Sequence, residues 1–312
     1  MSGRIDTGMT PLDLQVNGFG GVDFNSDTLT AEGMHEGCRR LREAGAGEIL
    51  ATVITAELDA MCRRLAALVR FREADPLVAE MVSGLHIEGP FLNETPGYVG
   101  AHPAEHVEPA SPDAMRRRLE AAGGLTKVVT LAPERDAGSA VTRLLADEGI
   151  CVAAGHCDPS LDELRAGIDA GLRMFTHLGN GCPMHLHRHD NIIQRVLSLA
   201  DQLWICFIAD GVHVPFPALG NYLRCAGTGR SVVVTDAIAA AGLGPGTYTL
   251  GDQTVAIGAD GVARAPDASH FVGSTVTMAQ TRENLERAIG LGEEEVTRLL
   301  DTNPRKAIEN NL

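Results

Sequence analysis

The chain has 312 residues, of which 44% are hydrophobic and only 4% aromatic, so it can bury a large core built mainly from Ala, Val, Leu and Ile. A formal charge of −15 argues against nucleic-acid or anionic-membrane partners, which attract basic surfaces. It leaves room for a small anionic ligand held by a few arginines and backbone N–H groups.

Eight apolar runs read as strands, at roughly 11–17, 47–55, 81–88, 126–132, 149–155, 173–178, 203–209 and 231–236. Stretches with helical spacing lie between or after them, at 29–45, 58–74, 112–124, 140–149, 160–171, 275–288 and 292–301. Strand alternating with helix predicts a parallel sheet, and eight repeats predict an α/β fold of the (β/α)8 TIM-like barrel type. A doubly wound open sheet is the alternative. A Gly-rich alternating segment at 242–272 reads as a β-hairpin excursion after the eighth strand. With no linker or repeat visible, residues 1–312 are expected to form one domain.

Seven cysteines lie scattered at 38, 62, 151, 157, 182, 206 and 225 without CxxC spacing, which reads as reduced thiols. The opening MSGRIDTGMT has no apolar leader and no stretch approaches a membrane span, so a cytoplasmic protein is expected.

The chemistry sits at the ends of the apolar runs. GLHIEG, CVAAGH, RMFTHLGN, WICFIADGVH and SVVVTDA place Glu88, His156, His177, His213 and Asp236 at or just past strand C-termini. Parallel barrels build their active sites from these positions, and the spread over five strand ends favours the barrel over the open sheet. A glutamate and two histidines form a catalytic metal set suited to zinc, and also to Fe(II) or Mn(II). A bland reading stands beside each residue. Glu88 can cap a loop, and a lone strand-end histidine is more often structural than a ligand.

Asp236 is placed to act as general base toward a metal-activated water, or else as a helix N-cap. His213 either binds substrate or packs. His102, in the loop after the third strand, either acts as an electrophile or closes over the site. The run HLGNGCPMHLHRHDN at 177–191 holds His185, His187 and His189 at alternate positions, with no acid or cysteine to complete a metal site. Those histidines read as loop residues near an anionic ligand, with Arg188 as the bidentate cation.

These motifs, taken in order, resemble the N-acetylglucosamine-6-phosphate deacetylase family of the amidohydrolase superfamily. The matching segments are LDLQVNGFGGVDFN (12–25), LHIEGPFLN (85–93), GAHP (100–103), AAGH (153–156), THLGN (176–180), ADGVHV (209–214), VTDA (234–237) and GSTVTM (273–278). The resemblance implies a metal-dependent hydrolase that releases acetate from N-acetylglucosamine 6-phosphate. It assigns Glu88, His156 and His177 to the metal, Asp236 to proton transfer, and His102 to polarising the acetamide carbonyl. His213, Asn180 and the Gly181 backbone are implied as sugar and phosphate contacts. Arg188 is implied to reach the phosphate in a partner subunit, hence a homodimer.

Three departures qualify the match. Gln15 and Asn17 stand where many amidohydrolases carry His-x-His, which implies one divalent ion per chain, zinc foremost and iron, manganese or cobalt as alternatives. The small β-sandwich usual in the family is expected to be missing. Tyr98 and Val99 precede GAHP where relatives often carry cations, which leaves Arg188 as the retained phosphate candidate. The alternatives are an amidohydrolase acting on an unphosphorylated or different N-acyl amino sugar, and a paralogue that binds sugar phosphate without turnover.

Overall fold

The structure, a computed structural model, describes residues 9–250, 253–258, 261–264 and 273–309. Eight parallel strands run in chain order around one sheet: β1 (Leu12–Val16), β2 (Glu48–Ile54), β3 (Val82–Glu88), β4 (Thr126–Leu131), β5 (Cys151–Ala154), β6 (Leu172–Phe175), β7 (Trp204–Ile208) and β8 (Ser231–Val234). All eight coincide with the apolar runs of the sequence.

The sheet curls almost into a closed barrel. Its seam between β8 and β1 has no continuous ladder. Instead Val16 bridges Ala237 in parallel, and the Asn17 and Gly18 N–H groups donate to the Ala237 carbonyl at 2.7 and 3.2 Å. Lower in the seam, the buried Asp13 carboxylate accepts from the Thr235 N–H at 3.1 Å and the Thr235 hydroxyl at 2.6 Å. A side chain thus replaces the missing backbone pairing, because a buried backbone donor left open would be costly.

Period-two alternation divides the core. Leu12 and Leu14, Cys151 and Ala153, Cys206 and Ile208, and Val232 and Val234 pack together as the barrel filling. The intervening residues, such as Ala51 and Val53, Leu85 and Ile87, and Ile205 and Phe207, join helix residues Met34, Cys38, Leu41 and Leu65 in the outer layer. The helices follow amphipathic stretches with recognisable starts. Thr30 caps Ala31–Glu43 through the Gly33 N–H, and a Ser160/Glu163 capping box opens Leu161–Ala170.

Four helices are not apparent from spacing: Pro76–Met81, Ile192–Leu197, Phe216–Ala226 and Asn303–Ile308. Three of them are six residues long, too short to show a period, and Phe216–Ala226 starts amid prolines at 215 and 217. In the excursion after β8, Gly246–Leu250 pairs antiparallel with Gln253–Ile257, which pairs with Ala263–Arg264. Of the expected hairpin, residues 251–252, 259–260 and 265–272 lie outside the described residues.

Candidate metal centre

Glu88 is the last residue of β3, while His156, His177 and Asp236 each stand two residues beyond the ends of β5, β6 and β8. The backbone there is unusual. His156, His177 and Asp236 adopt left-handed φ values of 52°, 30° and 51°, and Ser139 is the only other non-glycine residue described that does so. Each such residue costs about 1–3 kcal/mol and persists only when its surroundings over-determine it. Strain concentrated on three strand ends that meet at one point marks a site.

The side chains converge tightly. Glu88 Oε1 lies 3.1 Å from His177 Nε2 and 3.4 Å from His156 Nε2, and the two Nε2 atoms are 3.1 Å apart. Among the described residues, these three form the single group of acid, cysteine or histidine donors spaced to share an ion. All are buried.

His156 Nδ1 donates to the Tyr98 carbonyl at 2.9 Å, which orients the ring with Nε2 toward Glu88 and His177. Two ring nitrogens and a carboxylate oxygen this close together can share a proton or a metal ion. Burial alone would push the Glu88 carboxyl upward, but the hydrogen bonds to His156 and His177 outweigh it and hold the group well below the ordinary carboxylate range. Burial lowers the His177 pKa, yet its bond to Glu88 and that residue's charge raise it overall. An ionised carboxylate facing two imidazoles is a donor set that fits a divalent transition ion.

Asp236 faces the same centre. Burial first, then the neighbouring Glu88 charge, raises its carboxyl from 3.8 to about 6, while His177, His213 and the Asn17 amide pull it back down. Asn17 Nδ2 donates to Asp236 Oδ1 at 2.8 Å. His102 reaches the site from the other side: its Nε2 lies 3.7 Å from Glu88 Oε2, and its Nδ1 is 2.9 Å from the Thr55 hydroxyl. Burial, reinforced by His156, lowers its pKa to about 3, so the ring is neutral.

The remaining predicted residues are less closely gathered. Asn180 donates to the His177 carbonyl at 3.2 Å. Gly181 (φ 59°) and Gly100 (φ 61°) pack so near the His156 ring that an added Cβ would come within 3.0 Å of it at each. His213 is held by Asp210, with Nδ1 to Oδ2 at 2.5 Å, and both line a cavity of about 530 Å³ that Glu88, His156 and His177 do not line. Arg188 is exposed on its loop and is not brought to the cluster within this chain. Tyr98 is buried, and its carbonyl accepts from His156 Nδ1.

No family model matches the chain. Among curated proteins it is 30% identical to N-acetylgalactosamine-6-phosphate deacetylase of Escherichia coli O157:H7 over 301 residues, covering 95% of this chain and 76% of that one. Human N-acetylglucosamine-6-phosphate deacetylase is 36% identical over 257 residues, or 79% of this chain. The chain belongs to the N-acetylglucosamine-6-phosphate deacetylase family. It spans 61% of the length of the human and Bacillus subtilis relatives. Among solved structures, the Mycobacterium smegmatis N-acetyl-D-glucosamine-6-phosphate deacetylase, in a complex with N-acetyl-D-glucosamine-6-phosphate, superposes with a TM-score of 0.85. It is 29% identical, with 96% of this chain and 77% of that chain covered.

Within this deacetylase-family chain, several supporting residues escape sequence reasoning. Gln15, which the sequence marks only as a departure, donates to Glu88 Oε1 at 2.9 Å and accepts from the Thr176 hydroxyl at 2.8 Å. Thr55 and Asp210 orient His102 and His213. An acid three residues before a strand-end histidine, as in Asp210-Gly-Val-His213, is the one available signal. Nothing in the spacing of Gln15, Thr55 or Thr176 points to the centre.

Proposed function

We propose that this protein hydrolyses the N-acetyl group of an amino sugar 6-phosphate, N-acetylglucosamine 6-phosphate foremost, to acetate and the free amine. The observation that carries this reading is the convergence of Glu88, His156 and His177 opposite Asp236 at the C-terminal mouth of the barrel. The names of its relatives support the substrate class.

Glu88, His156 and His177 would hold one divalent ion, zinc foremost. When bound, such an ion supplies Lewis acidity, polarising a carbonyl and lowering the pKa of water. Asp236 takes the proton of the attacking water as it adds to the acetamide carbon, then returns a proton to the nitrogen as the C–N bond breaks. A carboxyl that titrates near pH 6 suits both transfers, because it is mostly ionised at neutrality yet can carry the proton transiently. Neutral His102 donates toward the developing oxyanion as the tautomer protonated at Nε2, with its Nδ1 accepting from the Thr55 hydroxyl. His213, Asn180 and the Gly181 backbone contact the sugar, and Arg188 reaches the phosphate of a partner subunit in a homodimer. The exposure of Arg188 supports that last assignment.

Gln15 and Asn17 support a mononuclear site. Both amides turn an N–H donor toward the carboxylates Glu88 and Asp236, and neither offers the imidazole nitrogens of a second histidine pair. The 4-epimer, N-acetylgalactosamine 6-phosphate, is a second reading, favoured by the Escherichia coli relative of that name. The test is acetate release from both phosphorylated epimers and from unphosphorylated N-acetylglucosamine by metal-loaded protein. Turnover confined to the phosphorylated sugars supports the proposal. Acetate released from none of them by metal-replete protein refutes it.

A further inference from the structure

We propose that Glu134 is a positioning residue for the metal site, the hub of a hydrogen-bonded ring that holds His156 in its strained conformation. The inference rests on the reading of His156 as a metal ligand. Glu134 lies just beyond β4, in the turn Pro133–Arg135, and touches neither the metal donors nor the cavity. Its Oε1 accepts from the Asp158 N–H at 2.7 Å and from Asn93 Nδ2 at 3.0 Å.

Both bonds lead back to His156. The Asn93 N–H donates to the His156 carbonyl at 3.0 Å, and Asp158 follows His156 by two residues. On the far side, the Tyr98 carbonyl accepts from His156 Nδ1 at 2.9 Å, and burial and the neighbouring Asp158 carboxylate push the Tyr98 phenol pKa up. Arg195 anchors Asp158 Oδ1 at 2.9 Å. Loops following β3, β4 and β5 are thereby tied into one ring around a single histidine.

The ring has a physical task. A non-glycine residue at φ 52° relaxes unless both its flanking peptides and its ring are held, and here each is. If the His156 carbonyl or the 157–158 peptide swings, Nε2 leaves the point where it meets Glu88 and His177. Outer hydrogen bonds of this kind orient metal-binding histidines and tune their affinity. Glu134 accepts two of the ring's bonds through Oε1, and its second oxygen, Oε2, has no partner among the described residues.

That asymmetry defines the experiment. Glu134→Ala removes both acceptor bonds. Glu134→Gln keeps Oε1 and puts the amide nitrogen where no bond exists to be lost. Zinc affinity of the full chain is measured by chelator competition, and geometry by the visible spectrum of the cobalt-loaded protein. Glu134→Ala should weaken zinc binding by about 10–100-fold and alter the cobalt spectrum. Glu134→Gln should restore both. In the alanine variant, KM at saturating metal should stay near the parent value while kcat falls.

Should Glu134→Ala not fold, Asn93→Ala takes its place. It cuts the ring at Glu134, leaves the Asn93 N–H to the His156 carbonyl intact, and should shift affinity in the same direction. Parental affinity and spectrum in the folded variant would overturn the proposal, as would a glutamine variant as impaired as the alanine one. A parent that binds no zinc or cobalt instead overturns the metal reading itself, and this inference with it.

Discussion

The barrel seam makes a quantitative prediction about Asp13. Its carboxyl is fully buried, and that burial outweighs the bonds from Thr235 and Gln15, raising the pKa from 3.8 to about 7. The folded chain therefore keeps this proton to near neutrality, whereas the unfolded chain releases it near 3.8. Between those values the native state binds more protons, so stability falls as pH rises, by about 1.4 kcal/mol for each pH unit. Between pH 3.8 and about 7 the total is about 4 kcal/mol, complete above pH 7 and absent below pH 4.

Asp13→Asn cannot titrate. Its stability relative to the parent should climb by an amount of that order between pH 4.5 and 8.5, whatever constant offset the amide introduces. Urea unfolding of chelator-treated parent and variant across this range provides the test, with the slopes checked for equality. A difference that stays flat with pH would refute the reasoning. It would mean that the Thr235 hydroxyl and the two N–H donors hold Asp13 ionised throughout.

Three further outcomes follow from the centre. Asp236→Asn should retain its metal and lose about 10²–10⁴-fold in kcat, since it keeps the Asn17 contact and removes only proton transfer; parental turnover, or loss of metal, would reassign the residue. Elemental analysis of protein purified without added metal should find one divalent ion per chain, and two would contradict the roles given to Gln15 and Asn17. Arg188→Ala should lower kcat/KM for the phosphorylated substrate by roughly 10–150-fold, matching the loss of a charge-assisted hydrogen bond, and spare the unphosphorylated sugar. Equal losses on both substrates would show that Arg188 does not read phosphate.

The strands and the ligand set are legible in the sequence for one reason. In a parallel barrel each apolar run is buried on both faces, and its end is where chemistry can begin, so VVVTDA or CVAAGH announces strand and site together. Other features leave no such trace. The seam couples Asp13 to Thr235 across 222 positions, and no local period predicts which acid will stand in for a missing ladder. Tyr98 enters the sequence reading only through its side chain, whereas what meets His156 is its carbonyl, a group every residue has.

The same holds for the strain at His156, His177 and Asp236. Glycine would adopt those φ values without cost, and a reader of sequence expects glycine there. A ligand cannot be glycine, so the chain places the histidine or aspartate in the left-handed region and puts the glycines beside it. Gly100 and Gly181, each with positive φ, give the His156 ring the room it occupies. The GAHP and NG motifs are in this sense part of the metal site, although neither supplies a ligand. What they supply is the space, and the bonds from Tyr98, Asn93 and Glu134 then decide how the ring sits in it.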